Sequence, residues 1–246
     1  NVLRELKKSH EFDISKRHAL SFAQQRRFLS FLSDSPTYSQ WYPIFAIMIG
    51  SGLRVGEITG LRWCDVDLKN RYIDINHTLV YFQHSDGKCY YSINRPKTVG
   101  SVRKVPMLGF VREAFLAERK HQFSSGIRCT VSIDGYTDFV FINSQGKPLS
   151  QGFLNKLLRR IVRDCNVQSE ENKLPSSSYL PVFSCHILRH TFTTRMCEAG
   201  INIKVIQDSL GHSDISTTMN IYADATSSMK HDEFQVFEKY LLEKGP

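Results

Sequence analysis

The chain lacks a long apolar run, a paired-cysteine motif and a phosphate-cradling glycine loop, and each absence removes a class of function. The longest apolar stretch, Trp41 to Ile49, is far short of the roughly 20 residues that a bilayer-crossing helix needs. No charged-then-apolar leader opens the sequence. The six cysteines, at 64, 89, 129, 165, 185 and 197, include no Cys-x-x-Cys pair, so neither a disulfide framework nor a zinc site follows from their spacing. Reduced thiols in a cytosol, and hence a cytoplasmic protein, are the expectation. The pattern Gly-x-x-x-x-Gly-Lys-Ser/Thr is missing, which argues against P-loop nucleotide chemistry. The first residue is Asn1 rather than methionine, which points to a piece of a longer protein.

What is present suits a globular domain. With 246 residues, 41% of them hydrophobic, the chain can bury a core as one large domain or two small ones. Lysine and arginine outnumber the acids 32 to 24, and the net charge of +8 favours a polyanionic partner without identifying it.

The apolar pattern changes period twice. Ser21-Phe22 opens a helical pattern in which Ala23, Phe28, Leu29 and Leu32 recur near 3.6, and Ser35-Pro36 ends it. Trp41 to Ile49 is apolar almost all round and reads as a buried central helix, broken by Gly50 and Gly52. From Arg71 come short β-branched and aromatic runs: Tyr72 to Ile75, Thr78 to Phe82, Tyr90 to Ile93 and Ser101 to Val105. They predict a small antiparallel sheet. Helical signals return over Phe110 to Lys120, Gln151 to Arg163, Thr191 to Glu198, Asn202 to Leu210 and Ile215 to Tyr222, with Glu170 to Leu180 a surface loop. The expected class is α+β, mostly α-helical with a small antiparallel β-sheet, in a single domain over 13–246 after a linker end at 1–12.

The chemistry lies in residues distant along the chain. Tyr222 stands ten residues after the His212 of Leu210-Gly211-His212. Upstream are His186-Ile187-Leu188-Arg189-His190 and Gly52-Leu53-Arg54-Val55-Gly56-Glu57. Attack at a phosphodiester builds negative charge on the non-bridging oxygens, and preorganised cations aimed there lower the barrier. Arginine suits the task because its planar fork binds two oxygens and stays charged. Arg54 and Arg189 are the candidates, with His212 a further donor. The phenol must lose a proton, which His186 can accept. Lys97, at an expected strand end in Arg95-Pro96-Lys97-Thr98, is the candidate acid for the departing 5′ oxygen. These cations can take the place of a divalent metal, and a covalent tyrosyl link would preserve the bond energy, so no cofactor is expected. Taken singly, each residue is more often structural: a packed tyrosine, a hydrogen-bonded histidine, an ordinary Arg–Glu helix pair.

Together, Ser51 to Glu57, His186-x-Leu188-Arg189-His190, Leu210-Gly211-His212 and Tyr222 resemble the ordered boxes of the tyrosine recombinase (phage integrase) family, and Lys97 matches its β-hairpin lysine. The resemblance covers roughly 13–240. It implies the tyrosine recombinase catalytic fold, with Arg54, Lys97, His186, Arg189 and His212 holding and protonating the scissile phosphate and Tyr222 becoming linked to a 3′ phosphate. Glu57 would orient the arginine and histidine network, and His190 would brace its helix. Ser51 stands where threonine is commoner and Cys185 where proline often precedes the box histidine. Such integrases usually carry N-terminal DNA-binding domains; none is read here, so the catalytic domain alone is expected. The implied function is integration and excision of a bacterial mobile element, a temperate phage or an integrative conjugative element. The implied assembly is a homotetramer on two double-stranded DNA sites, with accessory excision or bending proteins as candidate partners and no membrane. A type IB topoisomerase, a telomere resolvase and a DNA-binding module without catalysis are the rival readings.

Two further patterns lie outside those boxes. Lys156, Arg159, Arg160 and Arg163 recur at i, i+3, i+4 and i+7, opposite Leu154, Leu157, Leu158, Ile161 and Val162. A helix with one oily and one cationic face suits lying on DNA while anchored to a core; a merely solvated face is the alternative. Over Met229 to Glu243, Phe234, Phe237 and Leu241 fall at i, i+3 and i+7. That stretch, with the tail at 229–246, either packs on its own domain or, as in similar recombinases, docks on a neighbouring protomer.

Overall fold

A computed structural model describes residues 19–83, 85–95, 102–211, 215–226 and 230–244. The helix α1 (Phe22–Asp34) starts where a polar side chain can replace the missing helical acceptors. Ser21 Oγ accepts the Gln24 N–H at 3.2 Å and Gln24 Oε1 accepts the Ser21 N–H at 2.9 Å, a reciprocal cap. Its buried face is Phe28, Phe31 and Leu32. The next helix, α2 (Tyr42–Ser51), is buried from Pro43 through Ser51 and forms the centre of the molecule. It ends at Gly52, whose φ of 63° is left-handed. A Cβ there would lie 2.4 Å from Phe192 Cδ1, so only glycine fits both the conformation and the space.

After the short helix α3 (Val55–Gly60) the chain enters its strands: β1 (Val66–Asp67), β2 (Tyr72–Ile75), β3 (Thr78–Gln83), β4 (Cys89–Asn94) and β5 (Arg103–Pro106). They are all antiparallel but fall into two sheets, β1-β2-β5 and the hairpin β3-β4. In the first, Ile73 pairs with Val105 and Ile75 with Arg103. The hairpin is held to the loop before α5 by two bonds, Tyr91 Oη to the Pro148 carbonyl at 2.8 Å and Ile93 N–H to Asp134 Oδ2 at 2.7 Å.

The remaining helices are α4 (Gly109–Ser125), α5 (Gln151–Glu171), α6 (Cys185–Glu198), α7 (Ile203–Leu210), α8 (Ile215–Thr226) and α9 (Lys230–Lys244). Both α4 and α6 pack on α2. Leu154, Leu157, Leu158, Ile161 and Val162 of α5 are buried; each contributes about 1.5–3 kcal/mol relative to exposure. All six cysteines are free. Among the described residues no helix is long and apolar enough to cross a membrane.

Of the helices that run longer than their periodicity predicts, two are explained by tertiary bonds. In α5, which runs on through polar residues past Arg163, Asn166 exchanges two bonds with Leu180, and Ser169 Oγ accepts from Arg27 Nε at 3.1 Å. In α6, which begins at Cys185 rather than Thr191, the first N–H donates to Asn155 Oδ1 of α5 at 3.0 Å. A side chain from another helix thus caps it. The same helix clasps the incoming chain: Leu20 N–H donates to Thr191 Oγ1 at 3.0 Å, and Arg195 Nη2 donates to the Leu20 carbonyl.

Candidate active site

The site is organised by the carbonyl end of α7. Helix C-termini leave acceptors unpaired and carry the negative end of the helix dipole, so they attract cations. Here Gly211, at φ 64°, returns its N–H to the Gln207 and Asp208 carbonyls. The next three carbonyls each accept from a different arginine. Arg103 Nε bonds Ser209 at 2.7 Å, Arg189 Nη2 bonds Leu210 at 2.8 Å and Arg54 Nη2 bonds Gly211 at 2.8 Å. Strand β5, helix α6 and the start of α3 are thereby drawn to one point.

Glu57 is the second organiser. Placed in the first turn of α3, its carboxylate accepts the Arg54 backbone N–H at 2.7 Å and Arg54 Nη1 at 2.9 Å. Arg103 Nη1 and Nη2 grip both its oxygens at 2.9 Å. Four donors saturate one carboxylate. Burial alone would raise the Glu57 carboxyl, but the bonds and charge of Arg103, with Arg54 beside them, more than offset it and hold it below its usual value.

The arginines differ in exposure. Arg54 keeps 42% of its side chain open, whereas Arg103 keeps 6%. Arg189 is buried, and its Nη1 also donates to the Gly52 carbonyl at 2.8 Å, beside Arg54 in sequence. Burial, then repulsion from Arg54 and Arg103, pushes Arg189 down to about 9, with Glu57 working the other way. It therefore stays protonated at neutral pH and gains from an anion placed nearby.

Tyr222, on α8, is half-buried and packs on the small cluster of Cys197, Ile206 and Leu210. Leu210 is the residue whose carbonyl holds Arg189. His186 is exposed in the first turn of α6, and His190 is half-buried one turn later, after Arg189. Lys97 and His212 lie outside the described residues. The structure thus brings Arg54, Glu57, Arg189 and Tyr222 around Leu210-Gly211, although they are scattered from α3 to α8.

The four cationic residues of α5 are exposed, opposite its buried face. Three are tethered: Arg159 Nε donates to the Asn155 carbonyl at 3.3 Å, Arg160 Nε donates to Tyr38 Oη at 3.1 Å, and Arg163 Nε pairs with Asp164 at 2.8 Å.

One residue of the site, Arg103, lies outside every box. Arg103 sits in a β-type run and was unremarkable there. The available signal was alternation: in Arg103-Lys104-Val105-Pro106 the inward positions are Arg103 and Val105, so a charge occupies the apolar phase.

A model of the phage integrase family matches residues 18–229. The chain belongs to that family, and its fold is that of the tyrosine recombinase catalytic domain. It is similar to the transposase from transposon Tn916 of Enterococcus faecalis, 35% identical over 225 residues, covering 90% of this chain and 51% of that protein. The integrase of Staphylococcus phage L54a is 29% identical over 195 residues, 77% of this chain and 49% of its own length. The chain spans about half the length of these relatives. Among solved structures, the Tn1549 transposon integrase in complex with circular intermediate DNA has a TM-score of 0.79 at 34% identity, over 94% of this chain and 71% of that one. The XerA recombinase, at 21% identity and a TM-score of 0.63, shares the fold.

Proposed function

We propose that this chain is the catalytic domain of a site-specific DNA recombinase that integrates and excises a bacterial mobile element. The observation that carries the reading is the gathering of Arg54 and Arg189 on consecutive carbonyls at Leu210-Gly211, with Tyr222 packed on the Leu210 cluster. In the reaction, the Tyr222 oxygen attacks phosphorus as His186 takes its proton. Arg54, Arg189 and His212 bear the charge that grows on the non-bridging oxygens. The bond to the 5′ oxygen breaks, Lys97 supplies that oxygen with a proton, and a 3′-phosphotyrosyl link remains. A 5′ hydroxyl of a partner strand then attacks the link, restoring the phosphodiester and the phenol. Glu57 holds Arg54, and His190 braces α6.

The element is of the transposon kind, since identity to the Tn916 transposase (35%) exceeds that to the phage L54a integrase (29%). The substrate is double-stranded DNA in the bacterial cytoplasm, contacted by Lys156, Arg159, Arg160 and Arg163. Four protomers act on two sites, aided by accessory excision or bending proteins. Phe234, Phe237 and Leu241 of α9, exposed on this chain, supply the contact between protomers.

The test is a nicked suicide substrate, which traps the covalent intermediate. The wild-type chain forms a protein–DNA adduct, and Tyr222→Phe abolishes it while binding the same DNA. An adduct that survives Tyr222→Phe would sink the assignment of the nucleophile.

A further inference from the structure

Arg103 touches everything that fixes Arg54. Its guanidinium takes both oxygens of Glu57, the carboxylate that holds Arg54 through backbone and side chain. Its Nε takes the Ser209 carbonyl, two residues before the Gly211 carbonyl that holds Arg54 from the other side. Gly211 itself lies against the Arg103 side chain, so closely that a Cβ would come within 2.9 Å of Nη1 and 3.2 Å of Cδ. Arg103 is therefore the common backing of both clamps on Arg54. It is also too deeply buried to be the group a phosphate meets first.

Charge leads to the same place. With Arg54 as its only cation, Glu57 would spend most of that guanidinium's charge on itself, leaving less for an incoming phosphate. A second, buried guanidinium matched to both carboxylate oxygens neutralises Glu57 from behind. Lysine cannot do this, because a single ammonium cannot span two carboxylate oxygens and the Ser209 carbonyl together.

We propose that Arg103 is a positioning residue of strand cleavage: it fixes and neutralises Glu57 and locks the end of α7, so that Arg54 meets the scissile phosphate with its charge intact. The proposal rests on the recombinase reading. Misplacing a catalytic group by about 1 Å costs on the order of 100-fold in rate, which sets the size of the effect.

The test compares wild type, Arg103→Lys and Arg103→Met in single-turnover adduct formation on the nicked substrate, with protein saturating. A parallel series carries a methylphosphonate at the scissile position, where one charged oxygen is replaced by methyl and Arg54 has less to neutralise. Arg103→Met is expected to slow adduct formation about 100-fold and Arg103→Lys about 10-fold, with DNA affinity within about threefold of wild type. On methylphosphonate the deficits shrink to less than about a third of those values. Arg103→Lys keeps a buried cation beside Glu57 and reports even where Arg103→Met fails to fold. Unchanged rates in Arg103→Lys, equal deficits on both substrates, or loss of binding in step with cleavage would each overturn the proposal while leaving the recombinase reading intact. Wild type that forms no adduct on the phosphate substrate would sink that reading, and this inference with it.

Discussion

Arg54 Nη2 donates to the Gly211 carbonyl at 2.8 Å, joining groups 157 positions apart in the sequence. The bond links the exposed arginine to the residue immediately before His212. Two boxes that are independent in sequence thus share one piece of backbone. Loss of helix geometry at Gly211 should reach Arg54 without any change in the arginine itself.

Gly211→Ala provides the corresponding measurement. The added Cβ meets Arg103 Nη1 at 2.9 Å and forces a side chain into φ 64°. We expect destabilisation of about 1–2 kcal/mol from the conformation alone, and slower adduct formation from displaced carbonyls. Gly152→Ala is the contrast, because its Cβ meets nothing within 4 Å; it should stabilise by about 0.4–1 kcal/mol. Thermal denaturation of both variants checks the pair, and similar shifts in both would contradict it.

The cationic face of α5 predicts a salt dependence. If Lys156, Arg159, Arg160 and Arg163 each neutralise one phosphate, replacing all four by alanine flattens the log–log slope of affinity against salt by about 3.6. Titrations across a range of salt measure it. An unchanged slope removes α5 from the DNA interface and leaves a solvated face tethered through Tyr38 and Asp164.

Glu118 predicts a pH effect remote from the site. Burial pushes its carboxyl up to about 7, partly offset by a bond from Gln122. The unfolded chain ionises near 4.5, so the folded state holds an extra proton between those values and loses stability as pH rises through them. Glu118→Gln should raise stability at pH 8 by about 2 kcal/mol and change little at pH 4. Melting curves at both values decide it; parallel shifts would refute the buried titration.

The exposed apolar residues of α9 predict a defect in assembly. Phe234, Phe237 and Leu241 are 72%, 54% and 43% exposed, an apolar i, i+3, i+7 set open to solvent. Deleting the chain after Met229 should impair formation of a two-site complex more than binding to one site, as gel mobility reports. Equal loss of both would place α9 in the fold of its own protomer.

The sequence displayed the elements that obey local rules. The all-apolar Trp41–Ile49 run gave a buried helix, and the two-faced pattern of α5 gave its burial correctly, because both depend on periodicity alone. The candidate boxes were legible through resemblance, each keeping its residues together. Less legible was whatever depends on partners from afar. The start of α6 requires Asn155 from another helix, and the tail of α5 leans on Leu180 and Arg27. Arg103 gave only a charge in an apolar phase, since its partners lie 46 and 106 positions away.

The clasp of Leu20 by α6 has a mechanical meaning. Thr191 and Arg195 grip the backbone at Leu20 from the same helix that carries Arg189, two residues before Thr191. The backbone at Leu20 is therefore anchored to the rod on which that guanidinium is mounted. Leu20 and the Arg189 guanidinium thus answer to one helix, and a displacement at either is felt at the other through Thr191 and Arg195.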